Sequence, residues 1–309
     1  DDTIAIGFKA GCKAADPTNG CGIFIGRYAG QLAEEGKAIM IGCDAGRCAV
    51  NADNSIFIGK AAGKCACNSS DGNIAIGNEA GQGSSTLANN TGDYNISFGA
   101  CALKGYTSGS NNIAIGRHAG CNVTSGGSNF LGGYHAGRCN ETGSYNTLIG
   151  IGAGCGATSG NFRVIIGNSA GSFASGVDGI FLGSYTAKCN TGTYNIALGR
   201  SALKGSSTPG DNTGTRNIAI GCDAGIDLTT GSCNLLMGTR AGYDLTTGSD
   251  NIFMGRYSGA GVVTGSYNIA VGQEAGKKIT SGENNVYIGR QAGCDGTNAS
   301  RNVALGYLA

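Results

Sequence analysis

The 309-residue chain has no tryptophan, two prolines, two histidines and only 13 % charged residues. Each scarcity excludes something. Its 21 Lys and Arg are balanced by 20 Asp and Glu, with no basic stripe to track a nucleic-acid backbone and no Lys/Arg cluster to hold a membrane surface. No apolar run approaches the ~20 residues a bilayer span requires. Cys65-x-Cys67 is a single close pair without a second at finger or ribbon spacing, and His118 and His135 lack a nearby carboxylate in their column, so no metal site is expected. A Gly-x-Ser-x-Gly elbow, a P-loop, a His-Glu-x-x-His pair and a calcium-binding nonapeptide are all missing. No catalytic residue and no cofactor are therefore expected.

What the chain has instead is glycine, 59 residues of it, placed by a repeat. Glycine without an every-third period is not collagen, and the regular apolar runs are not those of a disordered chain. An Ile-Ala-Ile-Gly-x-x-Ala-Gly motif returns 18 times, its first glycine running from Gly7 to Gly306. Ten of the 17 intervals are 17 residues long, a fixed period that identifies a solenoid whose turns bury their apolar faces against one another. The expected fold is an all-β parallel β-solenoid of 18 coils, forming a single elongated domain over 1–309. The chain starts at Asp1 and stops part-way through a motif at Ala309, which reads as a processed product or a portion of something longer. The two 22-residue intervals predict longer loops at 82–94 and 204–216, read as spacers, with binding loops as the alternative.

With the motif glycine as position 0, positions −3 and −1 are Ile, Leu, Val, Phe or Met, save Thr147 and Gly132. Residues one apart on a strand share a face, and these pairs are expected to face the solenoid interior. Glycine at 0, +4 and −7 marks tight corners, and an apolar position at +7 (Val123, Leu228, Leu245, Val262, Ile279) predicts a second, shorter strand. Position −4 is asparagine at Asn73, Asn95, Asn112, Asn129, Asn146, Asn195, Asn217, Asn234, Asn251, Asn268, Asn285 and Asn302. Stacked at the ~4.8 Å spacing of parallel strands, these amides are expected to form a hydrogen-bonded ladder; a row of ligand contacts is the alternative.

Position −2, between the two residues expected in the core, is expected to point outward, yet it is apolar in all coils but that of Ser97. Ala alternates there with Phe24, Met40, Phe57, Leu131, Leu148, Ile165, Phe181, Leu236, Phe253 and Tyr287. Strands apolar on both faces are buried on both. This column is therefore expected to be an inter-chain contact with parallel copies of the same chain, three-fold in preference to two-fold. The 14 cysteines fall largely in repeat columns, and neighbouring strands direct their side chains alike, so free thiols are favoured over disulfides.

The unit Thr264–Gly276 (TGSYNIAVGQEAG) resembles repeats of phage fibre and other virion proteins, notably those of marine cyanobacterial phages, as do 215–225 (TRNIAIGCDAG) and the Ser-Ala-Leu-Lys-Gly variant at 201–205. It is also similar to the head repeats of trimeric autotransporter adhesins. The resemblance covers essentially the whole chain. It implies a parallel homotrimer that holds a receptor- or glycan-binding tip away from a surface, in contact with other virion proteins on the particle exterior. The expected function is thus a non-enzymatic virion shaft supporting host attachment. A bacterial cell-surface adhesin or extracellular filament is the alternative. An ice-binding solenoid is more remote, because the Thr-Thr pairs run into glycine corners rather than forming a flat lattice.

Overall fold

The computed structural model describes residues 3–13, 21–33, 37–50, 52–66, 71–84, 90–208, 210–296 and 298–309. Residues 85–89 of the first long loop and residue 209 of the second lie outside the described set, as does Cys67. Contacts divide the chain into two compact units, Asp1–Ser159 and Gly160–Ala309. The first holds β1 (Ile4–Ile6), β2 (Ile23–Ile25), β3 (Ile39–Ile41), β4 (Ile56–Ile58), β5 (Ile74–Ile76), β6 (Ile96–Phe98), β7 (Ile113–Ile115), β8 (Phe130–Gly132) and β9 (Thr147–Ile149). The second holds β10 (Val164–Ile166), β11 (Ile180–Leu182), β12 (Ile196–Leu198), β13 (Ile218–Ile220), β14 (Leu235–Met237), β15 (Ile252–Met254), β16 (Ile269–Val271), β17 (Val286–Ile288) and β18 (Val303–Leu305). Within each unit consecutive strands pair in parallel and in register, as in Ile39↔Ile56, Met40↔Phe57 and Ile41↔Ile58. The fold is a parallel β-solenoid of about 17 residues per coil, with no helix among the described residues.

Each strand is three residues long because the motif glycine ends it. That glycine has φ between +125° and +142° throughout, a conformation that side-chain-bearing residues rarely adopt. A Cβ on Gly42 would also lie 2.5 Å from the carbonyl oxygen of Gly59 in the next coil. Beyond it the chain turns twice more. Position +2 is left-handed and, save for Gly152, is not glycine (Tyr28 φ 59°, Asp44 φ 58°, His118 φ 57°), and position +4 is left-handed glycine in most coils. The corner is held from outside: the Asp44 N–H donates to the Arg27 carbonyl of the preceding coil (2.9 Å), and the Gly46 N–H to the Ala62 carbonyl of the following one (2.8 Å). Left-handed backbone costs an L-residue about 1–2 kcal/mol, so the stacking contacts must supply that.

The second strand expected at +7 does not form. The +7 amide folds back on its own coil, as Val123 N–H donates to Gly120 O (3.0 Å) and Leu228 N–H to Gly225 O (3.1 Å). A donor closing a tight turn is not available to a ladder. The +7 side chains nevertheless point inward, with Val123, Leu245 and Val262 fully buried.

The direction of the strand faces is the reverse of the expectation. Phe24, Met40, Phe57, Leu131, Leu148, Ile165, Phe181, Leu236, Phe253 and Tyr287 are only 0–3 % exposed within the single chain. They are the core of the coil, not an inter-chain contact. The flanking −3 and −1 residues are the outward pair: none of them is buried. The reason is thickness. Position −2 meets the +3 alanines (Ala29, Ala45, Ala119, Ala224, all fully buried) and the +7 residue across a narrow interior. A Cβ added at Gly30 would lie 2.3 Å from the Phe24 ring, so the space holds one side-chain row and not two. Where Thr186 and Ser258 replace the alanine, their hydroxyls donate to the Gly199 (2.5 Å) and Ala270 (2.6 Å) carbonyls and remain satisfied.

Candidate functional site

With the −2 column inside, the outward side of each sheet is built from positions −3 and −1. Isoleucine pairs such as Ile56 and Ile58 or Ile218 and Ile220 project from one face of a strand, and in-register pairing lines them into two columns. Neighbouring coils cover the sides of each side chain and leave its tip to solvent. Ile115 is 47 % and Ile288 44 % exposed, and β10, β11 and β15 are exposed at both outward positions. No charged residue interrupts these columns in any of the strands β1–β18. Beside them runs position −5, left-handed in most coils and aromatic at Tyr94, Tyr145, Phe162, Tyr194 and Tyr267, all of which are exposed. Between the two rows lies an open trough of about 490 Å³, lined in part by Asn111, Ile113, Phe130, Tyr145 and Thr147. Each unit thus presents a broad apolar and aromatic face, of the kind that marks an interaction surface.

The asparagine positions sit at the edge of that face but turn inward. Asn234 donates through Nδ2 to the Gly248 carbonyl of the next coil (2.9 Å) and to Asn217 Oδ1 (3.0 Å), while its own Oδ1 accepts from the Asn251 backbone N–H (3.0 Å). Equivalent contacts join Asn73, Asn95, Asn112, Asn129 and Asn146 in the first unit. They join Asn195, Asn217, Asn234, Asn251, Asn268, Asn285 and Asn302 in the second. The amides are consumed by this pairing, and the −7 glycines explain themselves through it. A Cβ on Gly231 would lie 2.3 Å from the Gly248 carbonyl oxygen, the acceptor of the Asn234 amide. In the coil of β10 the ladder position is Arg163, fully buried, which donates to the Ala174 carbonyl; burial lowers its pKa to about 10.

The two longer loops share one device that their length alone does not reveal. Asn90 clamps the first, accepting from the Ser84 N–H (3.0 Å) and donating to the Ser84 and Cys65 carbonyls (both 2.7 Å). Asn212 does the same in the second with Ser206 (2.8 and 2.9 Å) and Cys189 (3.2 Å). Both asparagines are fully buried. The signal in the sequence is the first residue of the Asn-Thr-Gly that ends each insertion.

Corner columns carry the remaining polar chemistry. His118 and His135 of adjacent coils meet at a tilt, with ring centroids 5.2 Å apart and planes at 57°, and Tyr134 lies flat on His135 at 3.9 Å. Burial, then the Arg117 and Arg138 guanidinium groups, holds the His118 imidazole below its ordinary pKa; burial, Arg138 and His118 do so for His135. The Tyr257 ring is met by Arg240, Arg256 and Lys277, each 5.4 Å from its centroid. No disulfide joins any of the thirteen described cysteines. No group of three or more His, Cys, Asp or Glu placed to hold a metal ion occurs among the described residues. No protein-family model, no curated protein and no solved structure matches this chain.

Proposed function

We propose that the chain is a non-enzymatic shaft segment of a virion fibre or whisker, assembled from parallel copies around a three-fold axis and serving host attachment by holding a receptor-binding tip away from the particle. One observation carries the reading: an uncharged, outward-facing apolar surface repeated in every coil of both units. Each outward side chain is already partly shielded, so covering it contributes roughly 0.5–1 kcal/mol, and nearly every coil offers two. Summed along a unit, such contacts outweigh the cost of bringing chains together. Parallel copies are the occupant that matches a periodic face, because equal repeats then meet equal repeats around a cyclic axis. The likeness of the repeat to phage-fibre units favours a virion over a cell surface.

The assembly is tested by the native mass in sedimentation or light scattering, with Ile56→Asp/Ile58→Asp and Ile218→Asp/Ile220→Asp as face variants. The expected result is a three-chain particle that the variants reduce to single chains of unchanged circular dichroism. A folded, soluble wild-type monomer at micromolar concentration overturns the assembly, and a two-chain particle replaces the three-fold axis. Antibody labelling of purified particles tests the location, and recovery on a bacterial surface instead replaces virion with adhesin.

A further inference from the structure

Among the cysteines, only Cys48 and Cys65 occupy the same repeat position, +6, in consecutive coils. The backbone holds them in step: the Cys48 N–H donates to the Lys64 carbonyl (2.9 Å), one residue before Cys65, and the Cys65 N–H donates onward to Gln82 O (2.8 Å). Coils stacked at ~4.8 Å bring their Cα atoms within the ~4.4–6.8 Å that a disulfide spans. The two thiols are half-buried and hydrogen-bond to each other. Other thiols lack this match. Cys121 and Cys155 sit at +5 and the intervening Cys139 at +6, one residue out of step. Residues in equal positions leave the coil in the same direction, whereas a one-residue offset turns the side chains apart.

We propose that Cys48 and Cys65 form a reversible redox pair that closes into an inter-coil disulfide when the chain meets a low-molecular-weight disulfide such as oxidised glutathione. Cys48 is the attacking group. The hydrogen bond from Cys65, then the nearby Arg47 and Lys64 charges, lowers its thiol pKa to about 6 against the opposing effect of burial and Asp44. Its thiolate attacks one sulfur of the oxidant, whose S–S bond breaks, and one glutathione thiolate leaves and takes a proton from water. The Cys65 thiol gives its proton to solvent and attacks Cys48 Sγ, expelling the second glutathione. Two protein thiols are oxidised and one small disulfide is reduced to two thiols. The closed bond ties the coil after β3 to the coil after β4.

The test equilibrates the folded full chain in glutathione buffers of graded potential at neutral pH, quenches it with an alkylating agent, and maps the peptides so that Cys65 is distinguished from Cys67. The expected outcome is joint loss of the Cys48 and Cys65 thiols to one cross-linked species, in buffers more reducing than any that join Cys121 to Cys139, with recovery on adding dithiothreitol. Cys65→Ser should trap a glutathione adduct on Cys48, and Cys48→Ser should abolish the cross-link with circular dichroism unchanged. Separate glutathione adducts on Cys48 and Cys65 in the wild-type chain overturn the proposal. So does a Cys48–Cys65 cross-link that forms no earlier than the Cys121–Cys139 one.

Discussion

At position −4 one side chain makes both halves of an inter-coil contact, and that makes asparagine hard to replace. Asn234→Ala removes an amide that feeds Gly248 O and Asn217 Oδ1, and strips the Asn251 N–H of its acceptor. Leaving buried groups unpaired costs about 1–3 kcal/mol, so the variant should lower the denaturant midpoint accordingly. The motif glycine is held by two constraints at once. Gly42→Ala would place a Cβ 2.5 Å from Gly59 O at a φ of +136°, and a loss of about 2 kcal/mol or more is expected in the same measurement. Gly132 lies on the outward side of β8, where an added Cβ would meet nothing nearer than 3.5 Å, and it should accept Val without loss. The two histidines report on pH. Both have folded pKa values below the ordinary ~6.5, so the unfolded chain binds more protons in the window beneath that value. Their contribution to stability is intact above it and declines as pH falls through it. An NMR titration should find both imidazoles depressed, and His118→Gln should let His135 rise, because the His118 charge is one of its depressing causes.

The three-residue strand is too short to have an inside and an outside assigned by alternation alone when all three residues are apolar. Ile56-Phe57-Ile58 reads equally well either way round. A second column would have decided it. Where −2 is large, +7 is small: Phe24 with Ala33, Met40 with Ala49, Phe57 with Ala66, Ile165 with Ala174. Where −2 is small, +7 is large: Ala114 with Val123, Ala219 with Leu228, Ala270 with Ile279, Ser97 with Tyr106. Such compensation means that the two positions share one volume, and all of these residues are buried. Leu236 with Leu245 and Phe253 with Val262, large with large, depart from it, as do Ala5 with Ala14, Ala75 with Ser84 and Ala197 with Ser206, small with small. Core and face variants should therefore separate cleanly. Phe57→Ala should cost about 3–5 kcal/mol by emptying the coil, whereas Ile58→Asp should leave the single chain folded and act on assembly. Unfolding curves read the first and native mass the second.

Across the whole molecule, stability should be local. Each unit is a stack in which a coil touches only its neighbours, so its stability is close to a sum of coil and neighbour terms. A charge in the core, as in Phe57→Asp, should speed hydrogen exchange in the ladder amides of β3, β4 and β5 and leave those of β13 to β16 in the second unit at wild-type rates. Uniform loss of protection throughout the chain would contradict nearest-neighbour energetics. The same periodicity governs the outer surface. A face that repeats in every coil spreads its contacts evenly along the unit, and that is why assembly is the function proposed for it.

The sequence by itself determined the solenoid, its period, the glycine corners and the asparagine column, because each rests on a constraint local to one coil and repeated in the next. It also determined that both sides of the strand are apolar. Only the tertiary structure decided which side is core. The interior is one side chain thick, a matter of the distance between the strand and the turns opposite it, and this places Phe24 and Phe57 inside and turns their isoleucine neighbours out. The motif that looked like a buried pair around an exposed residue is a buried residue between two outward-facing ones.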